Sequence, residues 1–301
     1  LEHEERKEIV KILIQIAYFI RPYIDDLIKS FSFLAFVDFN RAKALYAIET
    51  NSYMPNLISD TVIEWYNAVH PLLYLHHMNI GKEVVAQNIF LNEKRRILVI
   101  SGPNAGGKSV CLQTIGLLQY MIQCGILVSL KETSVMGLFK KIFIDIGDEQ
   151  SIENDLSTYS SHLNNMKYFI ENSDNFTLFL IDEFGSGTEP IVGGAIAESV
   201  LEELNKKKAF GIITTHYTNL KYFASNNEGV VNGAMLFDMQ NLQPMFKLSI
   251  GEPGSSFAFE IARKTGLPET IIKLAETKVG TNYIDYDKNL KNIIRDKFYW
   301  Q

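Results

Sequence analysis

The stretch Gly102-Pro103-Asn104-Ala105-Gly106-Gly107-Lys108-Ser109 decides the fold, because it satisfies the phosphate-loop pattern G-x-x-x-x-G-K-[ST]. An apolar run ending at Ser101 precedes it, and an amphipathic helical pattern follows it through about Gln123. Glycines let successive backbone N–H groups turn toward an anion, and the start of a helix adds a favourable dipole. Lys108 can then reach the β- and γ-phosphates of a nucleotide, and Ser109 can hold Mg²⁺. The pattern therefore predicts a nucleotide-binding loop between a strand and a helix.

Short apolar runs on both sides of this loop are typical of the central strands of a parallel sheet. Each run is nearly all apolar, which indicates burial on both faces of the sheet. Helical patterns and glycine-rich turns separate the runs, as in α/β proteins. The runs are Ile97 to Ile100, Ile142 to Ile146, Leu178 to Ile181 and Gly211 to Thr214. We therefore predict an α/β fold with a largely parallel sheet flanked by helices.

Acidic and imidazole side chains follow two of these runs. Asp182 and Glu183 are adjacent, and because neighbouring side chains on a strand diverge, one can face Mg²⁺ while the other faces the water that attacks the γ-phosphate. His216 stands at the carboxyl edge of the sheet, where open α/β folds bind ligands, and can donate to the γ-phosphate. Strands often end in solvated acids, and a single histidine is more often structural. Beside a phosphate loop, we interpret all three as hydrolytic residues.

The first part of the chain predicts helices. None of the 19 glycines lies before Gly81, and apolar residues recur at helical spacing from Ile9 to Ile20 and from Leu34 to Ile48. The simplest interpretation of these stripes is a packed core. We predict a small all-helical subdomain over residues 1–68. The pattern is helical again after Leu267, with Pro268 suited to a helix start.

Composition and charge exclude several classes of protein. The chain has 301 residues, 47% of them hydrophobic, and its 29 basic against 35 acidic residues give a net charge of −6, the wrong sign for holding nucleic acid by bulk charge. The stretch from Ile9 to Ile20 contains Lys11 and Gln15 and is shorter than the roughly 20 residues of a membrane span. Cys111 and Cys124 form no disulfide framework, and the histidines show no metal-ligand spacing with them. We expect a cytoplasmic protein with no membrane span and no structural metal.

Four motifs together resemble the ATPase domain of the MutS family, whose phosphate loop has the specific form GPN-x-GGKS. They are residues 102–109, Asp155-Leu156-Ser157-Thr158-Tyr159-Ser160-Ser161-His162, Ile181-Asp182-Glu183-Phe184-Gly185-Ser186-Gly187-Thr188 and Thr215-His216-Tyr217. The resemblance covers about residues 69–279 and implies an ABC-type P-loop ATPase domain there that uses ATP and Mg²⁺. The preceding helices look like the end of the family's core and lever region. Gly254-Ser255-Ser256-Phe257 is similar, less specifically, to the family's subunit-contact segment.

Within the family, Gly147-Asp148-Glu149-Gln150-Ser151-Ile152-Glu153 with Ser160-Ser161-His162 is more similar to the bacterial paralogue branch. That branch lacks the mismatch-reading domain and usually carries a coiled coil and a small Smr nuclease domain after the ATPase. The chain opens at Leu1 and stops at Gln301 inside a charged, helix-like stretch, so we expect a piece of a longer protein. Residues 280–301 are then a helical tail leading to a missing C-terminal region.

The resemblance also implies partners and roles for individual residues. Such ATPases form two composite sites across a homodimer, and Ser157 matches the signature serine that reaches the partner's nucleotide. The matches to catalytic residues are Glu183, His216 and Lys108, and those to metal ligands are Ser109 and Asp182. The matches to nucleotide-binding residues are Gly102, Pro103, Asn104, Ala105, Gly106, Gly107, Lys108, Ser109 and Ser157.

Further positions matched to the family pattern are less specific. Asp148 and Gln150 lie where a metal or water contact is expected. The family often stacks an aromatic ring on adenine, and the corresponding region here reads Val84-Val85, so that contact is expected to be aliphatic. For the full-length protein, the resemblance implies control of binding to mismatched, branched or recombining DNA, as in DNA repair, or action on stalled ribosomes.

Two other functions are compatible with a phosphate loop: an ABC-type transport motor and a non-hydrolysing dimerisation module. An ABC-type transport motor predicts an LSGGQ-like signature, but the corresponding position reads Leu156-Ser157-Thr158-Tyr159, which disfavours that class. A non-hydrolysing dimerisation module would suit a degenerate site. Because Lys108, Asp182, Glu183 and His216 are all present, we predict Mg²⁺-dependent ATP hydrolysis instead.

Overall fold

A computed structural model of the chain describes residues 1–147, 158–238 and 241–279. The helices in these ranges are α1 (Glu2–Ile20), α2 (Ile24–Glu49), α3 (Pro71–Asn79), α4 (Lys108–Gln123), α5 (Thr158–Asn172), α6 (Pro190–Lys206), α7 (Thr218–Asn226), α8 (Ala258–Lys264) and α9 (Glu269–Val279). The strands are β1 (Asn56–Ile58), β2 (Ile63–Ala68), β3 (Gln87–Leu91), β4 (Arg95–Ser101), β5 (Val135–Gly137), β6 (Lys141–Asp145), β7 (Thr177–Ile181), β8 (Phe210–Thr214), β9 (Gly229–Asp238) and β10 (Gln243–Ile250). The fold is α/β, with mixed sheets flanked by helices. The chain divides into two compact units, Leu1–Glu49 and Thr50–Gln301.

The first unit consists of α1 and α2, joined by a 3-10 turn at Arg21–Tyr23. Backbone dihedrals at both junctions stay in the right-handed helical region, so the chain continues forward and does not fold back to cover an apolar stripe. The predicted helices are confirmed. The interpretation of their stripes as a packed core is not, because Leu13 is 58% exposed and Leu34 is 61% exposed.

The helical segment is also shorter than the predicted 1–68. It ends at Glu49, and strands β1 and β2 lie inside the range expected to be helical. Together with β3 and β5 they form a four-stranded sheet in the order β1-β5-β2-β3. Both β1 and β2 pair with β5, which lies far along the chain, so distant pairing decides the structure of this stretch. Local apolar spacing carries no information about such a partner.

The second sheet carries the predicted central strands. Its order is β10-β9-β4-β8-β7-β6, with all neighbours parallel except the antiparallel pair β10 and β9. The four apolar runs predicted as strands are confirmed as β4, β6, β7 and β8. Ile97 lies opposite Gly211, and Ile181 lies opposite Ile213, so the carboxyl ends of β4, β7 and β8 share one edge.

Helices cover both faces of this sheet, which explains why the central runs are apolar throughout. One face packs against α5, α6 and α7 in a buried cluster that includes Ile97, Phe179 and Ile213. Side chains alternate along a strand, and on the opposite face α4 approaches closely: a Cβ on Gly116 would lie 2.5 Å from Leu180 Cδ1. Helix α4, which follows the glycine-rich segment, is therefore anchored directly on the central strands.

Several predictions concern other parts of the chain. No helix among the described residues is long and apolar enough to cross a membrane. The predicted helix start at Pro268 is confirmed by α9. Asp148, Gln150, Ser157 and the tail over 280–301 lie outside the described residues.

Candidate functional site

The glycine-rich loop, residues 102–107, connects β4 to α4 at the carboxyl edge of the six-stranded sheet. It contains one 3-10 turn at Asn104–Gly106, and Gly107 then takes φ +89° and ψ +20°, a left-handed conformation that favours glycine. Gly107 is also the N-cap of α4 and has no side-chain oxygen to satisfy the first helical N–H groups. Because Asn104 and Ala105 are exposed, an anion can approach the loop from solvent.

The ammonium group of Lys108 lies within this loop. The side chain is buried, and Nζ donates to the carbonyl oxygens of Gly102 at 3.1 Å and Pro103 at 3.0 Å. Burial lowers the pKa of Lys108, while the carboxylates of Glu183 and Asp182 oppose that shift. The loop thus holds a positive charge whose nearby counter-charges come from the residues that follow β7.

Those two carboxylates have different surroundings. The backbone N–H of Asp182 donates to the carbonyl oxygen of Asp145 at 2.9 Å, and its half-buried carboxylate accepts a hydrogen bond from the Thr214 hydroxyl. Glu183 is exposed and has φ +46°, an unfavourable conformation for a residue with a Cβ. Its backbone N–H donates to Thr214 Oγ1 at 2.8 Å. One carboxylate is therefore fixed beside the sheet, and the other faces solvent.

His216 follows β8 at the same edge. His216 is solvent-exposed, but desolvation by the surrounding protein atoms, with repulsion from the positive charges of Lys108 and Lys221, lowers its pKa to about 4, and Asp182 opposes the shift. At neutral pH the imidazole is therefore uncharged and has one N–H to donate. His216 is close enough to Lys108 and Asp182 for their charges to shift its pKa, so the three residues lie in one site.

A second group of polar residues lies beside the site, and of these only His162 belongs to a motif quoted from the sequence. The buried carboxylate of Asp145, at the end of β6, accepts from Asn165 Nδ2 at 2.9 Å and lies 2.7 Å from His162 Nδ1. These contacts hold α5 against the strand that neighbours β7. The available signal is one carboxylate inside the otherwise apolar run Ile142 to Ile146, which is too common a feature to be diagnostic.

A cavity of about 720 Å³ opens beside the glycine-rich loop. Its lining combines residues of the loop and α4 with residues from the end of β2 to the start of β3 and one residue of β10. They are Ala68, His70, Leu73, His77, Lys82, Glu83, Val84, Val85, Gln87, Asn104, Ala105, Gly107, Lys108, Ser109, Val110, Cys111, Thr114 and Phe246. Val84 and Val85 thus line the cavity next to Lys108 and Ser109. Cavities that bind small molecules usually combine apolar walls with some polar groups, and half of the residues that line this one are polar or charged.

Phe246 is an aromatic cavity residue that sequence patterns do not identify. It lies in an irregular part of the β9–β10 pairing with φ +55°, and a Cβ on Gly107 would be 3.3 Å from its ring. Gln87 holds the Phe246 backbone by donating to its carbonyl oxygen at 2.6 Å and accepting from Leu248 N at 2.8 Å. A bulge and a contact between distant strands place this ring, so no local motif could reveal it.

The candidate metal ligands are oxygen donors. Ser109 is half-buried and lines the cavity, and Asp182 lies near Lys108 in the same site. A hydroxyl and a carboxylate suit a hard cation such as Mg²⁺, which usually takes only one or two protein ligands besides phosphate and water. No group of three or more His, Cys, Asp or Glu side chains that could hold a metal ion by themselves occurs in the described ranges.

Comparison with known proteins gives a consistent result. Residues 98–281 match the family model described as MutS domain V. The chain is 40% identical over 293 residues to endonuclease MutS2 of Aquifex aeolicus, a match that covers 97% of this chain and 38% of the relative. It is 42% identical over 293 residues to endonuclease MutS2 of Finegoldia magna, with 97% and 37% covered. For endonuclease MutS2 of Fusobacterium nucleatum the identity is 40% over 294 residues, with 97% and 37% covered. The chain thus spans a little over a third of the length of these relatives.

Proposed function

The chain belongs to the MutS family, and from this premise we propose that residues 69–279 are an ABC-type P-loop domain that binds and hydrolyses ATP with Mg²⁺. The observation that carries the proposal is the position of Lys108. Its buried ammonium group lies inside a glycine-rich loop at a helix start, with two carboxylates and a neutral imidazole nearby. This set of groups suits a triphosphate and an attacking water.

In this proposal the triphosphate lies on the glycine-rich loop and the base occupies the adjoining cavity. The loop amides and the start of α4 bind phosphate oxygens, and Lys108 shifts its hydrogen bonds from the carbonyls of Gly102 and Pro103 to the phosphates. Val84, Val85 and Phe246 offer apolar and aromatic contacts to the base. Adenine binding would then combine the expected aliphatic contact with an aromatic one.

Ser109 and Asp182 are the proposed Mg²⁺ ligands, and the bound ion would neutralise charge on the phosphates. Glu183 is the proposed general base, since its carboxylate is solvent-accessible and close enough to Lys108 to interact with it. His216 is neutral in the nucleotide-free site and donates its N–H to the γ-phosphate. Negative charge brought by the phosphates would raise its pKa and strengthen that hydrogen bond.

For the longer protein, we propose that ATP-dependent pairing of two copies controls binding to DNA, in the cytoplasm. Ser157, which precedes α5 in the sequence, is the residue proposed to reach the partner's nucleotide. The relatives are named endonucleases. We assign nuclease action to a part of the longer protein beyond this ATPase domain, such as the Smr domain of the bacterial paralogue branch.

Substitution of the loop lysine tests the proposal. Lys108→Ala should weaken binding of a non-hydrolysable ATP analogue by about 10- to 100-fold, because charged hydrogen bonds contribute about 1.5–3 kcal/mol. Isothermal titration calorimetry measures the affinity, and phosphate release measures hydrolysis. Lys131→Ala, at an exposed lysine, is the matched control, with circular dichroism to check folding. Unchanged affinity of folded Lys108→Ala, or no ATP binding by the wild-type chain, would contradict the proposal.

A further inference from the structure

Thr214, the last residue of β8, contacts three consecutive residues after β7. It is fully buried, and its hydroxyl donates to Asp182 Oδ1. The hydroxyl oxygen of Thr214 also accepts from the backbone N–H of Glu183 at 2.8 Å, and the Thr214 carbonyl accepts from Phe184 N at 2.9 Å. One residue therefore holds the whole segment that carries both carboxylates of the site.

The sheet explains why such a residue is needed. The parallel pairing of β7 with β8 ends at Ile181 and Ile213, so the next residues lose regular ladder partners. Glu183 also takes φ +46°, which is sterically unfavourable for a residue with a Cβ and persists only where the surroundings fix it. Hydrogen bonds from Thr214 to the residues on both sides of that backbone turn supply the constraint.

The two hydroxyl bonds are compatible with each other. An ionised carboxylate only accepts, so the single hydroxyl proton goes to Asp182 and a lone pair remains for the Glu183 N–H. Serine can make the same two bonds. Valine has nearly the same shape as threonine and can make neither, so these two substitutions separate hydrogen bonding from packing.

We propose that Thr214 is a positioning residue for ATP hydrolysis, a role that rests on the function proposed above. Its hydroxyl holds the Asp182 carboxylate at the metal site and fixes the backbone from which the Glu183 side chain reaches the attacking water. Substrate binding depends mainly on the glycine-rich loop and the cavity, which Thr214 does not line. Loss of the hydroxyl should therefore affect turnover much more than ATP affinity.

Thr177 provides a matched control at the start of β7. It is also fully buried, and its hydroxyl donates to Asp174 Oδ1 at 3.0 Å and accepts from Asp174 N at 3.0 Å. Its partners are thus again a carboxylate and a backbone amide, but they lie at the opposite end of the strand from Asp182. Thr177→Val removes equivalent hydrogen bonds without touching the proposed site.

The test measures kcat, KM for ATP and the Mg²⁺ concentration for half-maximal rate in each variant. Substitution of a residue that holds a metal ligand typically lowers metal affinity or activity by about 10- to 100-fold. We therefore expect Thr214→Val to lower kcat by about that factor and to raise the Mg²⁺ concentration for half-maximal rate several-fold. KM for ATP should stay within about threefold of wild type, since uniform substrate binding is retained. Thr214→Ser should keep kcat near wild type, and Thr177→Val should lose stability with an unchanged kcat.

Three outcomes would overturn the role of Thr214 alone: wild-type kcat in Thr214→Val, failure of Thr214→Ser to retain activity, or an equal loss in Thr177→Val. If Thr214→Val does not fold, Thr214→Ala removes the same hydroxyl with a smaller side chain and gives the same comparison. No hydrolysis by the wild-type chain would instead refute the proposed function, so the two failures are distinguishable.

Discussion

Gly254→Ala should destabilise the Thr50–Gln301 unit and weaken nucleotide binding, because the added methyl group would meet the backbone that leads into the glycine-rich loop. A Cβ at Gly254 would lie 2.5 Å from the Ser101 carbonyl oxygen, 2.8 Å from its carbonyl carbon and 3.0 Å from Gly102 N. Ordinary contact begins at 3.4 Å, so the carbonyl oxygen would be about 0.9 Å too close. All three atoms are backbone atoms and cannot rotate away.

The loss of unfolding free energy depends on whether β4 or the segment around Gly254 must move to relieve the contact. Strand β4 is paired on both sides, with β8 and β9, so the segment around Gly254 has to shift instead. Gly254 itself makes two of the hydrogen bonds that hold that segment: its N–H donates to Ser101 Oγ at 2.7 Å, and its carbonyl accepts from Lys221 Nζ at 2.8 Å. A neutral bond contributes about 1 kcal/mol and a charged one about 2 kcal/mol, so we expect a loss of roughly 2–4 kcal/mol.

Urea unfolding followed by tryptophan fluorescence measures this loss. Trp65 is fully buried in the second unit, and a Trp300→Phe background makes it the sole tryptophan. Gly233→Ala is the control, because its methyl group would meet only the side-chain ends of Leu98 at 3.0 Å and Leu248 at 3.1 Å, which can shift, and should cost about 1 kcal/mol. An unfolding free energy for Gly254→Ala within about 0.5 kcal/mol of the parent protein would refute the close backbone approach.

Two further predictions concern the site chemistry. Glu183→Gln should bind ATP normally and hydrolyse it about 10²- to 10⁴-fold more slowly, and wild-type phosphate release would exclude Glu183 as the general base. His216 should titrate near pH 4 in NMR spectra of the nucleotide-free protein, whereas a midpoint at its usual 6.5 would contradict the role of desolvation and ammonium repulsion. Since the unfolded chain binds this proton at higher pH than the folded chain, the unfolding free energy should fall as the pH drops from about 6.5 to about 4, and His216→Gln should reduce that fall.

The strands that carry the site were predictable because their signal is local. Ile97 to Ile100 and Leu178 to Ile181 are apolar at every position, which only burial on both sheet faces explains. The glycine-rich loop was predictable for a similar reason, since its conformation depends on residue types within one short segment. Asp182 follows β7 and His216 follows β8 in the chain. Because β7 and β8 are parallel neighbours, their carboxyl ends lie at the same edge of the sheet, and so do these two residues.

The rest of the structure depends on partners that are distant in sequence. Strands β1 and β2 lie in a stretch predicted as helical, and their common partner β5 decides their conformation. Phe246 lines the cavity through a bulge held by Gln87, and Asp145 contacts α5. None of these contacts has a periodic signature, so apolar spacing and motifs could not reveal them.

The six-stranded sheet itself fixes the relative positions of the site residues. Beyond the last ladder pairs, Asp182 N donates to Asp145 O at 2.9 Å, and Thr215 N donates to Ile100 O at 3.0 Å. Together with the Thr214 bonds, these contacts tie the ends of β6, β7, β8 and β4 to one another. The Asp182 carboxylate and the backbone that carries Glu183 and His216 are therefore positioned before any nucleotide arrives. Under the proposed function, ATP binding would add negative charge at this edge of the sheet and would alter its geometry little. The added charge would attract a complementary surface on a second copy of the chain.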